Sequence, residues 1–441
     1  MYLRYAVLGL ALVGLVGCGA PPPSDVDGGG FPDAGSSADA STVPDGGMTT
    51  DGGALPKDGG LEPPPCEERN TPEAVRARDG FVEVCADRIS HPRAVCGDGT
   101  PFRFSYRRAT GTSAGLLVYF RGGGNCTDYI SCWGVDGQGG AGRRVGTLTN
   151  TRTGPEVLPG VARTFGLFDR VDMAALFPDF DVLYVPYCSG DGGLQSTDET
   201  FLRPPEANAS APATITTYFR GIDNRRAVLA WARGQFTAPT RLAVWGSSAG
   251  SYASMGAIPD IVAAWPSVAD VTWWGEGGVG VGRVSFSALF SDTISQFDGQ
   301  AGRKLVRFVQ FSYASDATQV NYAPPPFNTE PTFRAELKRV LEERAASFPR
   351  NYRAVAVTGR CHTLALEPSL YQAFQRVGMG WQPVTPAVRP NPELVFDGVS
   401  LVTVMRQATR GSGPFDASFP TLAPDWTTAS ARCELPRGDA L

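Results

Sequence analysis

The fold is decided by the stretch Leu242-Ala243-Val244-Trp245-Gly246-Ser247-Ser248-Ala249-Gly250, which continues as Ser251-Tyr252-Ala253-Ser254-Met255. Its first four residues are an apolar run with the length of a buried strand. Several residues after Gly250 are small, namely Ser251, Ala253 and Ser254, which lets a helix pack closely on its neighbours. A strand, a serine in a tight Gly-x-Ser-x-Gly turn and a helix directly after it are typical of a nucleophile elbow. The sequence therefore predicts Ser248 as a nucleophile.

A second Gly-x-Ser-x-Gly pattern occurs at Gly111–Gly115 and contains Ser113. It follows the polar residues Arg107-Arg108-Ala109-Thr110 and precedes an apolar run, which is the order expected of a hairpin or loop. Ser113 lacks the strand before it and the helix after it, so the pattern alone does not make it a nucleophile.

The rest of the chain after residue 66 alternates strand-like and helix-like segments. Apolar runs of strand length occur at 116–120, 182–185, 242–245, 271–274, 306–311 and 352–357. Apolar residues at helical spacing predict helices over 215–236 and 332–348. This alternation predicts an α/β fold, in which a mostly parallel sheet is flanked by helices on both faces.

An acyl-transfer serine needs two backbone N–H donors for the oxyanion. The residue after the nucleophile, Ala249, supplies the first. The second is expected from the glycine loop that contains Gly123 and Gly124, because this loop directly follows the 116–120 strand and glycine leaves the backbone free to turn. The alternative is a phosphate-binding loop, but the P-loop lysine and the spacing of a dinucleotide fingerprint are both missing.

Only two histidines, His91 and His362, are present, so a histidine-dependent mechanism must use one of them. His362 follows the last predicted strand, 352–357, in a loop from which a base can reach over the sheet edge. His91 precedes the predicted core strands and is interpreted as structural. His362 is therefore the predicted general base.

The carboxylate that orients the base is expected between the nucleophile and the histidine in the chain. Asp316 comes just after the 306–311 strand and is the predicted acid. Its plainer interpretation is a helix cap or turn residue. Glu276 and Asp298 are the alternative acids.

The N-terminal residues are organised differently from the rest. Residues 1–18 read as a bacterial lipoprotein signal peptide that ends in Leu15-Val16-Gly17-Cys18, with Cys18 as the predicted lipid acceptor. Residues 19–65 are rich in Gly, Pro and Asp and predict a flexible tether with a net charge of −7. Without that charge and the single positive charge of Arg4, residues 66–441 carry about +1 of the chain's −5. We therefore expect a lipid-anchored catalytic domain, 66–441, in the cell envelope.

The composition argues against nucleic-acid binding and bound metals. The domain has no basic field for nucleic acid. Asp25-Val26-Asp27-Gly28 begins like a calcium loop, but the glutamate and flanking helices of that loop are missing. Eight cysteines besides Cys18 allow up to four disulfides, and no Cys-x-x-Cys spacing points to zinc. Cys126 and Cys132 are the expected local bridge, and no cofactor or metal is predicted.

Several of these motifs together resemble the pectin acetylesterase and Notum family of α/β-hydrolases. The resemblance runs through most of the globular part. It is carried by Tyr119-Phe120-Arg121-Gly122-Gly123-Gly124-Asn125-Cys126 with Cys132, by Tyr184-Val185-Pro186-Tyr187-Cys188, by Gly246–Gly250, and by Asp316 and His362. It implies an α/β-hydrolase-like fold, a triad of Ser248, Asp316 and His362, and an oxyanion hole lined by Gly123, Gly124 and Ala249.

The resemblance also implies a substrate class. Family members remove acyl groups from glycans or lipidated protein without a cofactor, so we expect a serine esterase that removes acetyl or other short acyl groups from a polysaccharide such as pectin. Arg121 and Asn125 depart from the plant members, which have glutamate and tryptophan there. That tryptophan borders the active site in the family, so the resemblance does not by itself define the acyl group or the substrate. The alternatives are a longer-chain lipase or protein deacylase, and a non-catalytic glycan-binding surface lipoprotein.

Overall fold

The computed structural model describes residues 81–133 and 177–357, apart from positions 88, 178, 206, 208 and 210. It further describes 359–360, 362–363, 374–377, 380–383, 395–396, 399–415, 419 and 426. The predicted signal peptide with Cys18, the tether and the boundary at residue 66 lie outside these residues, as do three of the cysteines, Cys66, Cys361 and Cys433.

One large sheet forms the centre of the described part of the chain. Its strands are β1 Val82–Cys85, β2 Arg103–Arg107, β3 Gly115–Phe120, β4 Phe180–Val185, β7 Arg241–Ser247, β8 Asp270–Glu276, β9 Val306–Tyr313 and β10 Tyr352–Val357. The remaining strands form two-stranded pairs: β5 Thr197–Leu202 with β6 Thr214–Phe219, β11 Phe374–Val377 with β12 Gly380–Pro383, and β13 Val395–Phe396 with β14 Val399–Ser400.

The strand order of the large sheet is β1-β2-β4-β3-β7-β8-β9-β10. Six neighbouring strands pair in parallel: β4, β3, β7, β8, β9 and β10. Strand β2 pairs antiparallel with both β1 and β4. The carboxyl ends of the six parallel strands therefore meet at one edge. Phe120 at the end of β3 is level with Gly246 on β7, and Ser247 is level with Glu276 on β8.

Helices cover the sheet. They are α1 Tyr129–Trp133, α2 Gly221–Gln235, α3 Ala249–Ala264, α4 Val284–Gln296, α5 Ala317–Tyr322, α6 Glu330–Ser347 and α7 Leu401–Arg410. Buried residues of α2, α3, α4 and α6 pack against one face, and those of α7 pack against the other. The strands alternate between the two: Leu116 and Val118 of β3 face the first set of helices, and Leu117 and Tyr119 face α7. The predicted α/β fold with a mostly parallel sheet flanked by helices is confirmed.

One predicted helix begins too early. We expected a helix over 215–236, but residues 214–219 form β6, and α2 starts only at Gly221. Along β6 Ile215, Thr217 and Phe219 are buried, whereas Thr214 and Thr216 are exposed. This period of two, together with β-branched and aromatic residues, favours a strand. Antiparallel pairing with β5 provides hydrogen-bond partners for the backbone of β6.

Two disulfides stabilise the carboxyl-end side of the sheet. Cys96 bonds to Cys188 beyond the end of β4. Cys126 bonds to Cys132, which confirms the expected local bridge and closes the loop between β3 and α1. Cys85 is also disulfide-bonded. Among the described helices, none combines the length and the apolar character needed to cross a bilayer.

The two bridges differ in the chain length that they close, 92 residues for Cys96–Cys188 and 6 for Cys126–Cys132. The chain-entropy argument gives about 4–5 kcal/mol for the long loop and about 2 kcal/mol for the short one. We therefore expect replacement of Cys96 and Cys188 by serine to lower the free energy of unfolding by about 2 kcal/mol more than the same replacement of Cys126 and Cys132. Urea unfolding of the two double variants measures this difference, and equal losses would contradict it.

Candidate active site

Ser248 stands alone between the end of β7 at Ser247 and the start of α3 at Ala249, as the elbow pattern predicts. Its backbone has φ 55° and ψ −124°, a conformation that residues with a Cβ rarely adopt. The Ser248 N–H donates to the carbonyl of Glu276 on the neighbouring strand at 2.7 Å. A strained residue of this kind persists only where its surroundings determine it, and it is common at active sites.

The two glycines of the motif are required by close packing. A Cβ on Gly246 would overlap the carbonyl oxygen of Gly250 and the hydroxyl of Ser254. A Cβ on Gly250 would overlap the carbonyl oxygens of Phe120 and Arg121, where β3 leads into the glycine loop. Strand β7, helix α3 and the end of β3 therefore approach one another more closely than any side chain would allow.

The three residues predicted as a triad are joined by hydrogen bonds. The Nε2 atom of His362 lies 2.6 Å from the Oγ of Ser248. Its Nδ1 atom lies 2.9 Å from Oδ2 and 3.0 Å from Oδ1 of Asp316. Asp316 is completely buried and His362 almost so, whereas Ser248 is partly exposed. The Asp316 carboxylate is thus shielded from water while the Ser248 side chain remains accessible.

Asp316 also caps a helix, which is its plainer interpretation from the sequence. It is the N-cap of α5, and its Oδ1 accepts the backbone N–H of Gln319 at 2.9 Å. The side-chain amide of Gln319 donates to Oδ2 at 2.8 Å and to Ser312 Oγ at 3.0 Å. The Gln319 Oε1 accepts the N–H of Val279 at 3.1 Å. These bonds fix the carboxylate in the orientation that contacts His362.

Gln319 was not among the predicted site residues, although the sequence carries a signal for it. An acidic or hydroxyl residue followed three positions later by Glu or Gln is the pattern of a capping box, and Asp316-Ala317-Thr318-Gln319 fits it. The pattern could have predicted α5. It could not have shown that the Gln319 side chain would bond to the Asp316 carboxylate.

The glycine loop after β3 runs against the elbow. A Cβ on Gly122 would overlap the carbonyl of Ser247 and the Cβ of Ser248. Gly123 and Gly124 follow directly, and Gly124 has φ 85°. Ala249 is the first residue of α3, so its N–H has no acceptor within the helix. The loop and the helix start that were predicted as oxyanion donors thus both lie next to Ser248.

A second glycine-rich segment after β8 was not predicted to belong to the site. A Cβ on Gly277, which has φ 63°, would overlap the carbonyl of His362 and come within 3.2 Å of its ring. A Cβ on Gly278 would come within 2.6 Å of the carbonyl of Ser248. This segment therefore forms the wall on which the elbow and the histidine loop pack.

The aromatic hydroxyls near the site are kept neutral. Burial raises the pKa of Tyr313, and the nearby negative charges of Glu276 and Asp316 raise it further. Burial likewise raises the pKa of Tyr252 to about 12, although its hydroxyl accepts the N–H of Gly280. Neither phenol ionises near neutral pH, so neither adds a negative charge near Asp316.

The alternative acids lie elsewhere. Glu276 is completely buried, but its carboxylate accepts the hydroxyl of Ser247 at 2.6 Å. Asp298 accepts the N–H of Gln300 at 2.8 Å, in a turn beyond the end of α4. Of the three candidate acids, Asp316 is the one that is hydrogen-bonded to His362.

The two rejected candidates for nucleophile and base also have local roles. Ser113 donates to the carbonyl of Gly115 at 2.8 Å, in the turn before β3. His91 belongs to a turn in which its N–H donates to the carbonyl of Asp87 at 2.8 Å.

Comparison of the chain with protein-family models and with curated proteins gives no match in either case. Within the described residues, no group of three or more His, Cys, Asp or Glu side chains is arranged to hold a metal ion. The interpretation of the site therefore depends on its own geometry.

The packing around Gly250 yields a test with a matched control. We expect Gly250→Ala to lower the free energy of unfolding by about 1–3 kcal/mol, because the added Cβ meets backbone that cannot move independently. A Cβ added at Gly234, near the end of α2, would meet open space, so Gly234→Ala should raise stability by about 0.5–1 kcal/mol. Urea unfolding compares the two, and a neutral Gly250→Ala would contradict the close approach.

Proposed function

We propose that this protein is a serine carboxylic ester hydrolase with an α/β-hydrolase fold. The observation that carries the proposal is the hydrogen-bonded sequence Ser248–His362–Asp316, with the serine on a strained strand-to-helix turn. Nucleophile, base and orienting acid in hydrogen-bond reach of one another are the signature of nucleophilic acyl transfer.

The arrangement along the chain supports the same fold. In α/β-hydrolases the nucleophile precedes the acid and the acid precedes the histidine, and a loop after an earlier strand contributes to the oxyanion hole. Here the order is Ser248, Asp316, His362, and the glycine loop 122–124 follows β3, which is paired directly with the nucleophile strand β7. All of these residues follow the carboxyl ends of parallel strands.

The mechanism follows from the contacts. His362 takes the proton of Ser248 Oγ as the oxygen attacks the ester carbonyl, and Asp316 stabilises the imidazolium that forms. Backbone N–H groups of Gly123 or Gly124 and of Ala249 hold the oxyanion. His362 then protonates the departing alcohol. In the second half, His362 takes a proton from water as the water oxygen attacks the acyl-enzyme carbonyl. His362 then returns this proton to Ser248 Oγ as the acyl–oxygen bond breaks, which releases the acid and regenerates the serine.

The substrate follows from the resemblance to the pectin acetylesterase and Notum family. We propose that the acyl group is acetyl or another short acyl group and that the alcohol is a polysaccharide hydroxyl, as in acetylated pectin. Lipidation of Cys18 would hold the domain at the membrane of the cell envelope.

The test compares Ser248→Ala with Ser113→Ala, because both serines lie in a Gly-x-Ser-x-Gly pattern. We expect Ser248→Ala to lower kcat/KM for p-nitrophenyl acetate and acetate release from acetylated pectin by at least about 10³-fold. Ser113→Ala should retain nearly wild-type activity. Equal activity of wild type and Ser248→Ala would refute the assignment.

Histidine provides an independent comparison. His362→Ala should abolish turnover, and His91→Ala should leave it nearly intact, because His362 is the histidine that contacts Ser248.

A fluorophosphonate should label Ser248 of the wild type, and failure to label would favour the non-catalytic glycan binder. A series of p-nitrophenyl esters of increasing chain length would show a maximum at long chains if the protein is a lipase or protein deacylase.

Gln319 is expected to act through Asp316. Gln319→Met removes the amide that donates to Asp316 Oδ2, so we expect kcat to fall by about tenfold with KM nearly unchanged. Asn321→Ala in the same short helix is the control, because its side chain donates to the carbonyl of Ala317. A kcat equal for the two variants would show that the carboxylate is held without Gln319.

A further inference from the structure

Glu276 is a buried acid that the proposed mechanism does not use. It is the last residue of β8 and is level with Ser247, the residue that precedes the nucleophile. Its side chain is completely buried, on the sheet face that also carries Tyr119 and Trp245. A carboxyl group is costly to bury unless hydrogen bonds compensate for the lost water. The Glu276 carboxylate therefore needs hydrogen-bond partners where it is buried beside Ser247.

The side chain of Glu276 is hydrogen-bonded to the nucleophile strand. The Ser247 hydroxyl donates to Oε1 of Glu276 at 2.6 Å, and the indole N–H of Trp245 approaches the same oxygen at 3.4 Å. Because the Ser247 hydroxyl donates its hydrogen bond to the carboxylate, the hydroxyl of Tyr119, 3.1 Å away, donates to Ser247. A short bond from a hydroxyl to a carboxylate is among the stronger hydrogen bonds in proteins.

The main chain of the same residue holds the nucleophile itself. The carbonyl of Glu276 accepts the N–H of Ser248 at 2.7 Å. One residue thus binds Ser247 through its side chain and Ser248 through its backbone. Ser248 has the left-handed φ of 55°, so the turn needs contacts that prevent it from relaxing.

We propose that Glu276 is a positioning residue for the nucleophile. Its carboxylate fixes the side chain of Ser247 and, through Ser247, the turn that directs the Oγ of Ser248 to Nε2 of His362. This inference rests on the proposed function. The role of triad acid belongs to Asp316, which contacts His362 directly.

The consequence for the reaction is geometric. Without the carboxylate, the chain of hydroxyls from Tyr119 through Ser247 loses the acceptor at its end and must reorient, and the turn between β7 and α3 can shift with it. The 2.6 Å contact between Ser248 and His362 depends on that turn. A small displacement of a reacting group lowers the rate much more than it lowers substrate binding.

The experiment compares Glu276→Ala, Glu276→Gln, Ser247→Ala and the double variant Glu276→Ala/Ser247→Ala in the full chain. The rate of fluorophosphonate labelling of Ser248 and the kcat and KM for p-nitrophenyl acetate are measured together with the melting temperature. Asp298→Ala is the matched control, because this acid contacts Gln300 and Arg303 in a separate turn.

We expect Glu276→Ala and Ser247→Ala each to slow labelling and lower kcat by about tenfold or more, with KM changed less than about threefold. Glu276→Gln keeps an oxygen acceptor for Ser247 and should stay within about threefold of the wild type. The double variant should be no slower than the slower single variant, because both changes remove one interaction. Asp298→Ala should label at the wild-type rate.

Two results would overturn the positioning role. In the first, the folded fraction of Glu276→Ala and Ser247→Ala labels at the wild-type rate, so that only the melting temperature falls and the role is structural. In the second, Glu276→Gln is as slow as Glu276→Ala, so that an acceptor for Ser247 does not restore the nucleophile. Failure of the proposed function has a different signature, because wild-type Ser248 would then not label at all.

Discussion

The close approach of three backbone segments at Gly246, Gly250 and Phe120 is the constraint on which the site depends. Strand β7 turns into helix α3 within one residue, and the helix starts directly against the carbonyl end of β3. Only glycine allows this approach. It leaves Ser248 partly exposed at the carboxyl end of the sheet and places the glycine loop after β3 beside it. The parallel pairing of β3 with β7 keeps the two in register.

Asp316 and Glu276 each form hydrogen bonds with two different parts of the site. Asp316 caps α5 and is hydrogen-bonded to His362, so the helix start and the orientation of the imidazole depend on the same carboxylate. Glu276 similarly contacts the nucleophile strand through its side chain and its backbone. Because each group has several hydrogen-bond partners, the contacts among Ser248, His362 and Asp316 are fixed by the surrounding fold.

The core of the fold was predictable where a strong local pattern coincided with burial. The six parallel strands of the sheet are the six apolar runs, because a strand buried on both faces is apolar throughout. The peripheral strands were not predicted. In β5 most residues are exposed and polar, so its sequence lacks an apolar signal. The run at 214–219 has apolar residues that also fit helical spacing, and its alternating burial and its pairing with β5 make it a strand.

The sequence by itself determined the candidates: one serine in an elbow pattern, one histidine after the last strand of the large sheet, and Asp316 with two competing acids. Patterns along the chain were sufficient for this, because the elbow needs particular residues at fixed short spacings. The tertiary structure decided which acid contacts His362, that Gln319 holds it, and that Glu276 lies behind the nucleophile. These residues are 28 to 46 positions from their partners in the chain, except for the local Asp316–Gln319 pair. Contacts over such separations follow from strand order and register, which no local pattern specifies.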